Sequence, residues 1–105
     1  MAWIILLIGG LFEVLWAFAL RQSEGFTKFW PSVIAVVGIV ISLGMLSWSM
    51  RTLPLGTAYM VWTGIGAVGA FAVGVMVLGE APSATRIIAA LLILSGLVLM
   101  KLASP

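Results

Sequence analysis

The chain has 105 residues, of which 64% are hydrophobic and only 8% are charged, and it contains neither histidine nor cysteine. Soluble domains average about a quarter charged residues, so this composition is that of an integral membrane protein. The missing residue types exclude imidazole and thiolate metal sites, thiol chemistry and disulfides, and we expect no metal and no cofactor. The formal net charge of +2 comes from scattered residues, which argues against a nucleic-acid partner.

The first predicted membrane span covers residues 2–20. About nineteen helical residues measure roughly 28 Å, close to the bilayer core of about 30 Å. The segment lacks the basic start and the cleavage site of a signal peptide. Near its middle lies Glu13, a carboxylic acid in an apolar run. Ionisable side chains such as Asp cost about 2.5–3.5 kcal/mol at mid-span, and they usually mark the path of an ion or a substrate.

Three further spans are predicted at residues 31–50, 57–78 and 84–101, joined by short, turn-prone loops. The second span has one smaller and more polar face, which carries Gly38, Ser42, Met45 and Ser49. The third contains GxGxxG, but no strand precedes it, so a dinucleotide site is not expected. We interpret Gly64 and Gly66 as a hinge, because clustered glycine lowers the cost of bending a helix. The prediction is a single all-α transmembrane domain over residues 1–105.

The basic residues give little instruction about orientation in the membrane. In a four-span protein, Arg51 and Lys101 lie on one side of the membrane, whereas Arg21, Lys28 and Arg86 lie on the other. The positive-inside rule works through such a difference, and a difference of one residue is small. Two oppositely inserted copies would recreate the inverted repeats that larger transporters encode in one chain.

Aromatic and hydroxyl side chains are expected near Glu13. Trp16 lies one turn from Glu13 on the same stripe of the first helix. Ser42, Tyr59 and Trp62 lie at plausible depths on the second and third helices. An anion flanked by aromatic faces suits a cation, so these residues form a candidate cation site.

Four sequence motifs carry a family resemblance over essentially the whole chain: Glu13-Val14-x-Trp16, Ser23-Glu24-Gly25-Phe26-Thr27, Trp30-Pro31-Ser32 and Pro54-x-Gly56-x-Ala58-Tyr59-x-x-Trp62-x-Gly64-x-Gly66. The chain resembles the small multidrug resistance family. Multidrug members of the family typically carry a small residue at the position of Trp16. With tryptophan there, the chain resembles the guanidinium-exporter subtype. Arg21 is a variation, because many relatives have lysine there.

The resemblance implies an antiparallel, dual-topology homodimer, a multi-pass protein of a bacterial inner membrane. It implies a secondary active transporter rather than an enzyme, which exports guanidinium and small substituted guanidinium cations in exchange for protons. Glu13 would bind both proton and cation, and the site would be lined by Trp16, Ser42, Tyr59 and Trp62. The third helix would kink at Gly64 and Gly66, and the fourth would hold the dimer within the lipid.

Other functions stay open at this stage. A broad exporter of larger or quaternary ammonium cations would need a roomier pocket than Trp16 leaves. Half of a heterodimeric pair would be expected to show a stronger charge bias between its loops. A non-transport assembly subunit would use Glu13 as a hydrogen-bonding group between helices, and replacement by glutamine would separate that role from proton coupling.

Overall fold

The computed structural model describes residues 1–103, and these residues form four helices: α1 (Ala2–Gln22), α2 (Phe29–Ser49), α3 (Leu55–Met76) and α4 (Ala84–Ala103). Each helix is long and apolar enough to cross a membrane, which takes about twenty residues. The predicted four-span, all-helical architecture is therefore confirmed, with helix ends that differ from the predicted ones by up to two residues. The last two residues of the predicted domain lie outside the described range.

A left-handed stretch of backbone ends α1 and turns the chain into α2. Glu24, Gly25 and Phe26 have φ values of 49°, 74° and 67°, a region that side chains other than glycine rarely adopt. The fully buried Ser23 stabilises the turn, because its hydroxyl donates to the Leu20 carbonyl at 2.6 Å and accepts the Phe26 amide at 3.1 Å. The turn brings α2 back alongside α1.

Two prolines mark the starts of the next helices. Pro31 is the third residue of α2, within the first turn, where a missing N–H removes no helical hydrogen bond. Pro54 immediately precedes the first residue of α3. Both helices consequently begin two residues earlier than the sequence pattern predicted.

Helix α1 is the centre of the packing. It contacts α2 and α3 extensively, whereas α4 packs mainly against α3 and reaches α1 through Lys101, whose Nζ lies 4.6 Å from the centroid of the Trp3 ring. The core cluster lies where the first three helices meet, and its buried residues are Leu6, Leu46, Ala58, Val61 and Trp62. No residue of α4 is buried in the described part of the chain. The protomer therefore consists of a packed three-helix unit and one peripheral helix.

Small residues let α1 approach its neighbours closely, as is common between helices in lipid. A Cβ placed on Gly10 would lie 2.7 Å from the Cβ of Ile65, and one placed on Gly69 would overlap the Val14 side chain. On α2, Gly38, Ser42 and Ser49 are buried. The predicted small face of α2 is thus confirmed as a packing face.

Candidate functional site

The Glu13 carboxyl lies directly against the backbone of α3 at Gly66. A Cβ at Gly66 would overlap Oε1 of Glu13, so only glycine admits the carboxyl at this position. Among residues 1–103, no side chain forms a hydrogen bond or ion pair with Glu13. The side chain is partly exposed. Glu13 is therefore an unpaired acid in the middle of a membrane-length helix, and it remains accessible to a ligand.

A hydrogen-bond chain joins the three packed helices one turn away from this carboxyl. The indole Nε1 of Trp62 donates to Oγ of Ser42 at 2.9 Å, and Ser42 in turn donates to the Gly9 carbonyl at 2.7 Å. In a regular helix the Gly9 carbonyl also accepts the N–H of the residue four positions later, which is Glu13. These hydrogen bonds thus end on the turn of α1 that carries Glu13.

Tyr59 lies beside Trp62 on the outer part of α3. Its ring centroid is 5.8 Å from that of Trp62, with the rings tilted by 49°. Tyr59 is 51% exposed, whereas Trp62 is 6% exposed. The phenol is consequently free to meet a ligand or another chain, while the indole N–H of Trp62 already has a partner within the protomer.

Trp16 packs against α2 and leaves one polar atom without a partner. A Cβ on Gly38 would lie 2.8 Å from the Cβ of Trp16, so Gly38 makes room for the first atoms of this side chain. The Trp16 Nε1 is buried and has no hydrogen-bond partner in the described part of the chain. A buried N–H without an acceptor costs free energy. The indole N–H of Trp16 therefore remains available to donate a hydrogen bond to an acceptor.

The two glycines predicted as a hinge lie within an unbroken α3. Gly66 seats the Glu13 carboxyl, as described above. Gly64 faces α4, and a Cβ there would lie 2.5 Å from Cδ2 of Leu97. Both positions therefore require a small side chain for contact, and their hinge role stays a prediction.

The sequence placed Gly9 on the stripe of Glu13 and Gly38 on the face of Ser42, but it did not predict what either glycine contacts. Gly9 supplies the carbonyl that Ser42 binds, and a Cβ there would lie 3.1 Å from the Cβ of Met45. The only sequence signal was spacing, because Gly9 lies four positions before Glu13 on one stripe. Spacing on α1 alone does not identify the residues opposite it on α2.

Comparisons of the sequence with those of known proteins give consistent matches. The sequence profile described as Small Multidrug Resistance protein matches residues 1–93. The chain is 52% identical to the guanidinium exporters of Citrobacter freundii and Klebsiella oxytoca, over 99% of each chain. It is 49% identical to the guanidinium exporter of Escherichia coli O6:H1 (strain CFT073), again over 99% of both chains. The chain belongs to the small multidrug resistance family.

Membership of the small multidrug resistance family confirms the resemblance inferred from the sequence motifs. With its four membrane-length helices and bacterial relatives, the protein is a multi-pass protein of a bacterial inner membrane. It is a member of a family of membrane transport proteins, so its work is the movement of a substrate rather than the conversion of one.

Proposed function

We propose that the protein exports guanidinium in exchange for protons, and that Glu13 binds both. The observation that carries the proposal is the Glu13 carboxyl, which lies on Gly66 in the membrane-length region without a partner among the described residues. Relatives about half identical to the chain are guanidinium exporters by name. An acid at this depth is the expected mark of an ion or substrate path.

The chemistry of the surrounding residues suits a planar cation. Guanidinium can donate two parallel hydrogen bonds to one carboxylate, as arginine side chains do. Trp16, Tyr59 and Trp62 supply aromatic faces for stacking and cation–π contact. Ser42 acts chiefly by fixing Trp62, since its hydroxyl already bridges Trp62 and Gly9. Small substituted guanidinium cations fit the same scheme.

Exchange follows from competition for a single group. A protonated Glu13 has no charge with which to hold the cation, and a Glu13 that holds the cation resists protonation, so each ligand lowers the affinity for the other. If the site opens to one side of the membrane at a time, with Gly64 and Gly66 as the hinge, the proton gradient drives guanidinium outward.

The functional unit in this proposal is an antiparallel, dual-topology homodimer. Helix α4 has no buried residue in the described protomer, so it offers a long apolar face to a second copy. Tyr59 is half exposed at the site, where a second copy would enclose it. The nearly balanced loop charges favour insertion in both orientations. Two Glu13 side chains would then share one site, and the remaining apolar surface would face membrane lipid.

Reconstitution into liposomes tests this function. Guanidinium uptake and proton movement are measured together, using a pH-sensitive dye inside the vesicles. We expect guanidinium to drive proton movement in the opposite direction, and we expect Glu13→Gln to abolish both. Glu13→Asp is the matched variant that keeps an ionisable group. Uptake of guanidinium that is independent of pH and unaccompanied by protons would contradict exchange.

The same vesicles distinguish the alternative functions. Transport of tetraethylammonium at a rate similar to guanidinium would favour a broad exporter of quaternary ammonium cations. Trp16→Gly should widen the site and weaken guanidinium transport on our proposal, while Trp48→Gly, at an exposed tryptophan of α2, serves as its control. Stable assembly of Glu13→Gln, combined with no transport by the unmodified protein, would favour an assembly subunit.

A further inference from the structure

The contacts between α1 and α3 in the row that contains Glu13 have a fixed spacing in the sequence. A Cβ on Gly9 would lie 3.5 Å from Cδ1 of Trp62, and Glu13 lies on Gly66. In both pairs the α3 residue is 53 positions further along the chain, as expected when rows of every fourth residue pack together. The same spacing, continued for eight positions beyond Glu13 and Gly66, aligns Arg21 with Gly74.

The end of this row is completed by Glu80, a residue of the loop between α3 and α4. Gly79 turns the chain with φ of +71°, and the Glu80 N–H donates to the Gly74 carbonyl at 3.0 Å. The Glu80 side chain folds over Gly74, where a Cβ would lie 2.5 Å from its Oε1. Gly74 is therefore a seat for the Glu80 carboxylate, just as Gly66 is a seat for that of Glu13.

Arg21, at the end of α1, forms an ion pair with Glu80. Its Nη1 lies 3.8 Å from Oε2 of Glu80, so the ion pair joins the end of α1 to the end of α3. The other ion pair among residues 1–103, between Lys28 and Glu24 at 3.6 Å, spans four positions within the loop between α1 and α2. The two pairs have the same chemistry, but only the pair of Arg21 and Glu80 links α1 to the loop that follows α3.

We propose that Arg21 and Glu80 are positioning residues for transport, which fix the register of α1 on α3 and thereby hold the Glu13 carboxyl over Gly66. The inference rests on the proposed function. Eight helical residues, or about 12 Å, separate Arg21 from Glu13, so the pair acts through the helix and touches no substrate. An exposed ion pair is weak and screened by salt. Its effect on the transport rate should therefore be small and should decrease as the salt concentration rises.

The test compares three variants with three matched controls in proteoliposomes. Arg21→Gln and Glu80→Gln each remove one charge of the pair, and Gly74→Ala displaces the carboxylate without changing any charge. Lys28→Gln and Glu24→Gln remove the same charges from the loop pair. Gly44→Ala adds a methyl group where no atom lies within 4 Å. We expect the three test variants to lower guanidinium turnover by about two- to fivefold and the controls to leave it unchanged.

Exchanging the two charges of the pair distinguishes a specific effect of the ion pair from general damage to the fold, because only a specific effect is reversed when the pair is formed again. Arg21→Glu alone should be slow, and the reversed pair Arg21→Glu with Glu80→Arg should recover most of the lost rate. Raising the ionic strength should slow the unmodified protein towards the rate of Glu80→Gln while leaving that variant unaffected.

Two results would overturn the inference. One is turnover of Glu80→Gln and Gly74→Ala equal to that of the controls, and the other is a reversed pair no faster than Arg21→Glu alone. A failure of the proposed function is recognised separately, because the unmodified protein in the same vesicles would then fail to move guanidinium against protons.

Discussion

The indole of Trp62 and the hydroxyl of Ser42 form a 2.9 Å hydrogen bond in the buried contact between α3 and α2. Ser42 is completely buried, and its hydroxyl donates a hydrogen bond to the carbonyl of Gly9. One hydroxyl therefore satisfies a donor on α3 and an acceptor on α1, and it does so one turn from the acid at Glu13.

Replacement of Ser42 by alanine should destabilise the protein. The change leaves the Trp62 N–H buried without an acceptor, which costs about 1–3 kcal/mol in the free energy of unfolding. The measurement is reversible unfolding by a denaturing detergent, followed by circular dichroism. Ser47→Ala, at an exposed serine of the same helix, is the control and should change little. If both serine variants unfold alike, the hydrogen-bond chain does not contribute to stability.

Replacement of Gly66 by alanine should weaken guanidinium binding with little effect on helix formation. The new methyl group would overlap Oε1 of Glu13 and push the carboxyl away from α3. We expect the dissociation constant to rise by about tenfold or more, equivalent to about 1.4 kcal/mol, by calorimetric titration. Gly44→Ala provides the comparison, since it adds the same methyl group in open space. Unchanged affinity in Gly66→Ala would remove this contact from the site.

The proposed hinge can be separated from simple packing at Gly64. Gly64→Ala should crowd Leu97, whose Cδ2 would lie 2.5 Å from the new Cβ. Combining it with Leu97→Ala relieves that contact and should recover stability. If Gly64 is a hinge, transport should stay slow in the double variant, because alanine stiffens the helix by about 1 kcal/mol relative to glycine. Full recovery of transport would make Gly64 a packing residue.

Guanidinium affinity should depend on pH with a defined sign. Protons and guanidinium compete for Glu13 in our proposal, so the apparent dissociation constant should rise as the pH falls. One proton released per cation bound gives a limiting change of about tenfold per pH unit. The measurement is tryptophan fluorescence during guanidinium titration at several pH values. Affinity that is flat across the pH range would rule out competition.

The sequence was sufficient to predict the four spans and to place an acid, Glu13, within the first of them, because apolar length and an isolated acid are local signals. It was not sufficient to pair Glu13 with Gly66. Periodicity on one helix identifies a face, but it does not say which residue of another helix lies opposite. The pair of Arg21 and Glu80 was hidden for the same reason. Gly25 indicated a turn in the first loop, yet nothing predicted that Glu24 and Phe26 would share its left-handed conformation.

The peripheral position of α4 affects how the stability of the protein depends on its density in the membrane. Because α4 packs mainly against α3 and buries none of its residues, most of its apolar surface stays uncovered in a solitary protomer. If a second copy covers that helix, stability follows mass action and depends on how many copies share a given area of lipid. Diluting the protein with lipid should then lower its resistance to unfolding, and newly made chains would be most vulnerable to proteolysis when expression is low.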